Sequence, residues 1–124
     1  MANQRTIFPA TELKSFAEPV SSDKLQQGRV YFALQFLDED MFVPVLEPLV
    51  FLGIDLRNEG TGARYFQDFD SLQAGVKFPS AENRDHFQVY GANEGKHIFE
   101  FEDALKGLMR CALRRRETPS DQGG

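Results

Sequence analysis

The chain has 124 residues, which is enough for one domain with one hydrophobic core and too short for two. Its composition, 41% hydrophobic and 27% charged with 12 Phe and no Trp, is that of a folded protein with an aromatic-rich core and excludes a low-complexity chain. The net charge of −5 disfavours nucleic-acid binding, and no apolar run reaches the roughly 18 residues of a membrane helix.

The single cysteine and the N-terminal sequence bear on location. Cys111 cannot form a disulfide within the chain, and its position in a helical pattern predicts a buried structural thiol. Residues 1–15 lack the basic and then apolar pattern of a signal peptide. We therefore expect a cytoplasmic, bacterial protein that uses no cofactor and no metal.

Three strands are predicted in the first half of the chain, after a short helix at residues 11–18 that Pro19 would end. The strands fall at residues 29–37, 45–56 and 63–69, separated by an acidic turn and a Gly- and Asn-containing turn. Pro44 and Pro48 cannot donate ladder hydrogen bonds, so the second strand should begin at an edge or a bulge.

Closing the two turns predicts a register for these strands. One face, apolar on all three strands, would then be buried, and the opposite face, which carries Tyr31, Phe51 and Phe66, would be left for a helix or a partner. The expected cross-strand partners are Leu37 with Val45, Val30 with Leu52, Phe32 with Val50, Gly53 with Phe66 and Asp55 with Arg64.

The second half predicts a long connection, a hairpin and a helix. Residues 70–85 form a connection long enough to suggest a functional or mobile loop, and strands at 86–90 and 97–101 read as a hairpin. A helix at 102–116 should pack on the sheet through one apolar side. The residues on that side are Ala104, Leu105, Leu108, Met109, Ala112 and Leu113.

The fold predicted from these elements is of the α+β class and mainly β. We expect a curved antiparallel sheet, or a small barrel, of about five strands with the C-terminal α-helix packed on it. Residues 1–117 would form a single globular domain, and residues 118–124 a disordered tail.

Negative charge is concentrated in one segment. Residues 29–70 carry three basic and eight acidic groups, whereas both flanking segments are balanced. Asp68 and Asp70 have the i, i+2 spacing that places two carboxylates on one strand face, where they could act as acid and base or bind a divalent cation. Residues 38–40 form a second acidic group, but they lack the glycine and the distant glutamate of a calcium loop.

Signatures of several enzyme classes are missing from the sequence. It contains neither a Gly-rich phosphate loop nor a GxSxG nucleophile motif. The two histidines, His86 and His97, would lie about 13 Å apart in the predicted hairpin, too far to share one metal ion. Arg114, Arg115 and Arg116 are typical of a helix end that complements the helix dipole.

These observations favour a non-enzymatic protein-binding or adaptor domain with an acidic surface that suits a basic partner protein. The predicted binding residues are Asp38, Glu39, Asp40, Phe66, Asp68 and Asp70. The alternative is a small-molecule-binding or hydrolase-like protein with a pocket in the curved sheet, lined by Tyr65, Asp68, Asp70 and His86. A homodimer through an exposed strand edge, near Pro48 or in the 86–101 hairpin, is a third hypothesis.

Overall fold

A mainly β structure with a C-terminal helix is seen in the computed structural model, which describes residues 5–77, 87–91 and 94–117. The strands are β1 (Val30–Phe36), β2 (Pro44–Ile54), β3 (Arg64–Asp68), β4 (Phe87–Tyr90) and β5 (Ile98–Phe99). The α-helices are α1 (Phe69–Gln73) and α2 (Phe101–Glu117), and a short 3₁₀-helix spans Ser22–Lys24.

The five strands form one open antiparallel sheet in the order β4-β3-β2-β1-β5. Helix α2 packs on this sheet through contacts with β1 and β5. The predicted class, an antiparallel sheet carrying a C-terminal helix, is therefore confirmed. The barrel alternative is wrong, because β4 and β5 lie at opposite edges and do not close the sheet.

The β1–β2 hairpin closes earlier than the sequence predicts. Val30 pairs with Val50, two residues from its predicted partner. The backbone N–H of Leu37 donates to the carbonyl of Val43 at 2.9 Å, whereas the predicted partner of Leu37 was Val45. A shift of two residues leaves every side chain on its predicted face, because strand side chains alternate with a period of two.

The Asp38 side chain is the physical reason for the tighter hairpin loop. Its carboxylate oxygens accept hydrogen bonds from the backbone N–H of Phe42 at 3.0 Å and of Val43 at 2.8 Å. Met41 takes a φ of 59°, which turns the chain within the loop. Aspartate commonly closes turns in this way, by binding backbone N–H groups a few residues ahead.

Two opposing effects act on the pKa of Asp38. Partial burial of the carboxylate works to raise the pKa, but the backbone hydrogen bonds and the positive charge of Arg114 together hold it below the ordinary value of 3.8. The folded loop therefore favours the ionised form of this side chain.

The start of β2 is an edge, as its prolines predict. Strand β3 ends with Asp68 opposite Leu49, so residues 44–48 pair with β1 alone. At both ends of the β1–β2 ladder, the backbone hydrogen bonds join odd-numbered residues of the two strands. Hydrogen-bonded and non-hydrogen-bonded pairs alternate along antiparallel strands. The nitrogens of the even-numbered residues Pro44 and Pro48 therefore point away from β1. Neither proline costs the ladder a donor.

A β-bulge at Leu52 sets the register of β2 against β3. Phe51 pairs with Phe66 and Gly53 pairs with Tyr65, which leaves Leu52 without a partner in β3. Gly53 has a φ of 151°, a backbone conformation that residues with a side chain rarely adopt. The predicted Gly53–Phe66 pair is wrong because the sequence pattern carries no sign of the extra residue.

Asp55 closes the β2–β3 turn, and the predicted Asp55–Arg64 ion pair is wrong. The Asp55 carboxylate accepts hydrogen bonds from the backbone N–H groups of residues 59–61 at 3.0–3.4 Å. Arg64 is 6% exposed, and its Nη2 donates to the carbonyls of Gly91, at 2.6 Å, and of Glu94. Arg64 therefore fastens the segment that follows β4.

The predicted hairpin of strands 86–90 and 97–101 is also wrong. The β1–β2–β3 meander leaves two open edges; β4 fills the one on β3, and β5 fills the one on β1. The chain must therefore pass from one edge of the sheet to the other between Tyr90 and Ile98. A local hairpin would have left the β1 edge unpaired.

Apolar side chains are buried on both faces of the sheet. The face predicted to be buried carries the smaller cluster together with α2, whereas the larger cluster lies on the opposite face, which the sequence leaves for a helix or a partner and where Tyr31 and Leu49 are fully buried. That cluster contains Tyr31, Ala33, Leu49, Phe51, Phe66 and Ile98, with Val20, Leu25 and Tyr90 packed against it. The second cluster contains Leu34, Phe99 and Ala104, with Phe32, Phe36 and Leu108.

The fully buried residues of helix α2 are small. Its buried residues are Ala104, Gly107 and Cys111, so the prediction of a buried thiol is confirmed. A Cβ atom on Gly107 would lie 2.5 Å from Cδ2 of Leu34 in β1. The helix and the strand are thus too close at this point for any side chain to fit between them without displacement.

The predicted helix is confirmed to within one residue at each end, but its predicted packing side is right only in part, since Ala104 and Leu108 pack on the sheet. Leu105, Met109 and Leu113 are 44%, 37% and 42% exposed. Because Ala104, Gly107 and Cys111 face the sheet, Leu105, Met109 and Leu113 lie about 100° or more away around the helix and are left partly exposed.

The helix predicted at residues 11–18 is wrong, because the segment has no regular secondary structure and bends at residues 15–16. An eight-residue helix is too short to be stable without tertiary contacts. The backbone N–H of Val20 instead donates to the carbonyl of Ile98 at 2.9 Å, which holds this part of the chain beside β5.

Helix α1 occupies the start of the connection predicted at residues 70–85. Gln67, which is 2% exposed, donates to the carbonyl of Val76 at 2.8 Å and ties the end of this short unit to β3. The rest of the connection from residue 78, His86 and the tail predicted at 118–124 lie outside the described residues.

We predict that Asp38→Asn destabilises the fold at neutral pH but not in strong acid. Because the pKa of Asp38 is lower in the folded chain, its contribution is present above the unfolded pKa of about 3.9 and is lost as the pH falls through the folded value. The urea midpoint of the variant should lie below that of the wild type at pH 7, and the two should converge near about pH 2. Asp40→Asn, at an exposed position in the same loop, is the control. An equal deficit at both pH values would contradict this role.

We predict that Gly107→Val destabilises the fold by about 1–3 kcal/mol, because the added side chain overpacks the contact with Leu34. Ala112→Val is the matched control, since it adds a β-branched residue to the exposed part of the same helix. Thermal or urea unfolding of both variants measures the difference. Equal stabilities would show that the close contact is not a constraint.

Candidate functional site

The β1–β2 hairpin projects beyond the rest of the sheet. Because β3 ends opposite Leu49, residues 44–48 of β2 and the loop before them extend past β3 and β4. We call residues 37–43 the hairpin tip. A projecting loop on a rigid sheet is a common place for a binding surface.

The hairpin tip presents apolar and acidic side chains together. Leu37 is 75% exposed, Val43 46% and Met41 45%. Glu39 and Asp40 are exposed beside them. Apolar contact area combined with flanking charge is the usual make-up of a protein–protein interface, whereas a turn that served only to reverse the chain would need no exposed apolar groups.

Helix α2 holds the hairpin tip in place. Arg114 Nη2 donates to the carbonyl of Met41 at 2.8 Å, and Arg115 Nη1 donates to the carbonyl of Phe42 at 2.9 Å. The Cys111 thiol lies 3.4 Å from the Met41 carbonyl. With the Asp38 carboxylate inside the loop, these bonds fix its backbone from two sides, so little conformational entropy is left to lose on binding.

The acidic residues predicted to form one surface have different roles. Asp38 is occupied in closing the loop, whereas Glu39 and Asp40 are exposed on the hairpin tip. Asp68 caps α1 by accepting a hydrogen bond from the N–H of Ser71 at 2.7 Å. Asp70 lies exposed in the first turn of α1, so the strand face that the two carboxylates were predicted to share does not exist.

Phe66 lies in the core, although it was predicted to form part of the binding surface. It is 1% exposed, and its ring centroid is 5.3 Å from that of Phe51 and 5.7 Å from that of Tyr90. A ring in this position stabilises the sheet and is not accessible to a partner.

The three described residues of the predicted alternative pocket, Tyr65, Asp68 and Asp70, do not line a common pocket. Tyr65 is 3% exposed, and because Asp68 lies three residues further along β3, the two side chains point to opposite faces of the strand. Asp70 is exposed on α1, and His86 lies outside the described residues.

A row of polar side chains links the segment before β5 to the sheet. His97 Nε2 lies 3.1 Å from the hydroxyl of Tyr90, which donates to Oε1 of Gln88. Gln88 Nε2 in turn donates to the Glu47 carboxylate at 3.2 Å. The sequence does not single out Glu47 or Gln88, because their contact depends on the edge position of β4.

Burial shifts the pKa of two groups in this row toward the neutral forms. It lowers the pKa of His97, and it raises that of Tyr90, which the charges of Glu47 and Glu94 raise further. Neutral His97 and protonated Tyr90 can therefore share their hydrogen bond at neutral pH. The row is suited to fastening the crossing segment, and it holds no group activated as a nucleophile.

A cleft of about 360 Å³ lies between residues 19–22 and residues 94–96. Its volume is in the range of small-molecule sites. The one buried charged side chain in its wall is Arg64, whose Nη2 already donates to the carbonyls of Gly91 and Glu94. The other polar residues of its wall, Ser21, Ser22, Glu94 and Lys96, are exposed.

Two kinds of site are not found within residues 5–77, 87–91 and 94–117. No group of three His, Cys, Asp or Glu side chains there is placed to hold a metal ion. No helix in those ranges combines the length and the apolar character needed to cross a membrane.

Sequence reasoning missed the apolar part of the hairpin tip and its attachment to α2. It predicts Leu37 as the end of a paired strand and does not single out Met41 or Val43. The opposite charges of residues 38–40 and residues 114–116 could have indicated this attachment. However, the preference for basic residues at the end of a helix explains the arginines equally well. Met41 and Arg114 are 73 residues apart, so only the fold reveals their contact.

Comparison with known proteins adds no family to this description. No protein-family model matches the chain, and neither the curated proteins nor the solved structures contain a match to it.

Proposed function

We propose that this chain is a non-enzymatic protein-binding module that uses the hairpin tip to hold a partner with basic and apolar side chains. The observation that carries the proposal is the fixed loop: Arg114 and Arg115 bind its carbonyls while Asp38 binds its N–H groups. A loop that only reverses the chain needs neither these hydrogen bonds nor the exposed apolar side chains of Leu37 and Met41.

The chemistry of the partner follows from the exposed side chains. Leu37, Met41 and Val43 offer an apolar centre, and Glu39 and Asp40 add two carboxylates that would pair with Lys or Arg. Arg114 and Arg115 direct their guanidinium groups to the loop carbonyls. The surface is small, which is typical of a transient rather than an obligate complex.

A cytoplasmic location is part of this proposal. The single thiol, Cys111, is buried and cannot form a disulfide within the chain, which suits a reducing compartment.

We predict that the double variant Glu39→Lys/Asp40→Lys and the single variant Leu37→Ser each bind the partner at least about tenfold more weakly than the wild type. The tagged full-length chain is incubated with an extract of the organism that encodes it, and the retained proteins are quantified by mass spectrometry. The protein most enriched is then purified and titrated against each variant by calorimetry. Wild-type affinity should also fall as salt is added, because exposed charges are screened.

Matched controls separate the hairpin tip from the rest of the surface. Glu59→Lys changes an equally exposed acid in the β2–β3 loop, and Ile54→Ser changes a side chain that is 51% exposed at the end of β2. Both controls should bind as the wild type does. If the tip variants and the controls bound the partner with equal affinity, the hairpin tip would not be the binding surface.

A further inference from the structure

Helix α2 has a second apolar face that the sheet does not cover. Leu105, Met109 and Leu113, spaced by four residues, are each between one-third and one-half exposed. The sheet-facing residues are Ala104, Gly107 and Cys111. At about 100° per residue, the centres of the two sets lie roughly 165° apart around the helix, so the second face points away from the sheet.

The residues that flank this second face carry opposite charges at its two ends. Exposed Glu102 precedes Leu105 by three residues, and exposed Arg116 follows Leu113 by three. The positions 102, 105, 109, 113 and 116 are therefore symmetric about Met109. We call these five residues the outer stripe of α2.

We infer that the outer stripe is the contact surface for a second copy of this chain, with the two α2 helices antiparallel about a twofold axis at Met109. Each Leu105 then packs against Leu113 of the other copy, and the two Met109 side chains meet at the axis. Each Glu102 lies opposite Arg116 of the other copy. A surface on which every residue meets its complement under a twofold rotation is what an isologous dimer requires.

The charge order selects the antiparallel orientation. A parallel pair would place Glu102 beside Glu102 and Arg116 beside Arg116, which costs free energy, whereas the antiparallel pair makes two opposite-charge contacts. The helix dipoles are also opposed in the antiparallel pair. An unrelated partner would not require the stripe to be complementary to itself.

Self-association by pairing of two free strand edges is disfavoured by the sequence. The free edge of β2 at residues 44–48 contains Pro44 and Pro48, whose nitrogens face that edge and cannot donate to an added strand. The helical face carries no such obstacle.

The contact is expected to be modest in size. The outer stripe spans about 21 Å of helix, since 14 residues separate its ends at about 1.5 Å each. Interfaces at the small end of the range form weak dimers, so the dissociation constant should lie at about 10–100 µM.

Sedimentation velocity of the full chain from about 1 µM to about 1 mM tests the inference. The wild type should show a reversible monomer–dimer equilibrium. Glu102→Arg and Arg116→Glu should each weaken the dimer by at least about fivefold, and the double variant should return to within about threefold of the wild type, because each pair is restored with its charges exchanged. Leu105→Glu should leave only monomer, whereas Ile54→Glu, the exposed apolar control on the sheet, should not change the equilibrium.

Each other outcome would overturn the inference. Wild type that is monomeric throughout the range rules out the dimer, and a dimer that the double charge exchange does not restore rules out the antiparallel pairing. If the wild type is monomeric and Leu105→Glu abolishes the retention of an unrelated protein from the extract, that protein covers the outer stripe in place of a second copy. Circular dichroism of each variant verifies that α2 is folded. The inference does not depend on partner binding at the hairpin tip, so either can fail alone.

Discussion

The close contact between α2 and β1 is the constraint on which the rest of the structure depends. Gly107 lies so near Leu34 that a Cβ atom would approach Cδ2 of that leucine to 2.5 Å. With Ala104 and Cys111 it gives the helix one narrow side that can reach the sheet. This choice of side determines the direction of every other side chain on α2, including the arginines near its end.

The hairpin tip owes its shape to that placement. Once α2 lies on β1, its last turns pass beside the loop that follows β1, and Arg114 and Arg115 reach the carbonyls of Met41 and Phe42. Backbone carbonyls left free in a projecting loop would otherwise be satisfied by water, and the loop would sample more conformations. The helix therefore contributes to a surface on which it presents no contact residue of its own.

The sequence was sufficient for the fold class and for the alternation of side chains along β1 and β2, because both follow from periodicity. It was not sufficient for the registers, since these depend on how Asp38 and Asp55 close their turns and on one bulged residue, Leu52. For α2, hydrophobicity alone places Leu105, Met109 and Leu113 on the packing side, whereas the contact with the sheet buries Gly107 and Cys111. The acidic group at 38–40 was recognised, but its division into a closing residue and two exposed ones needs the hydrogen bonds.

The two proposed surfaces have a geometric consequence when taken together. Arg114 is five residues from Met109, so two antiparallel α2 helices would hold their hairpin-tip anchors about 15 Å apart along the helix axis. A dimer would thus present two copies of the tip at a fixed spacing. A partner with two suitable segments, or itself a dimer, would gain affinity by binding both tips, because the second contact forms at a high effective concentration. Because only the dimer offers both contacts, weak self-association would make the fraction of bound partner rise more steeply as the concentration of the chain increases.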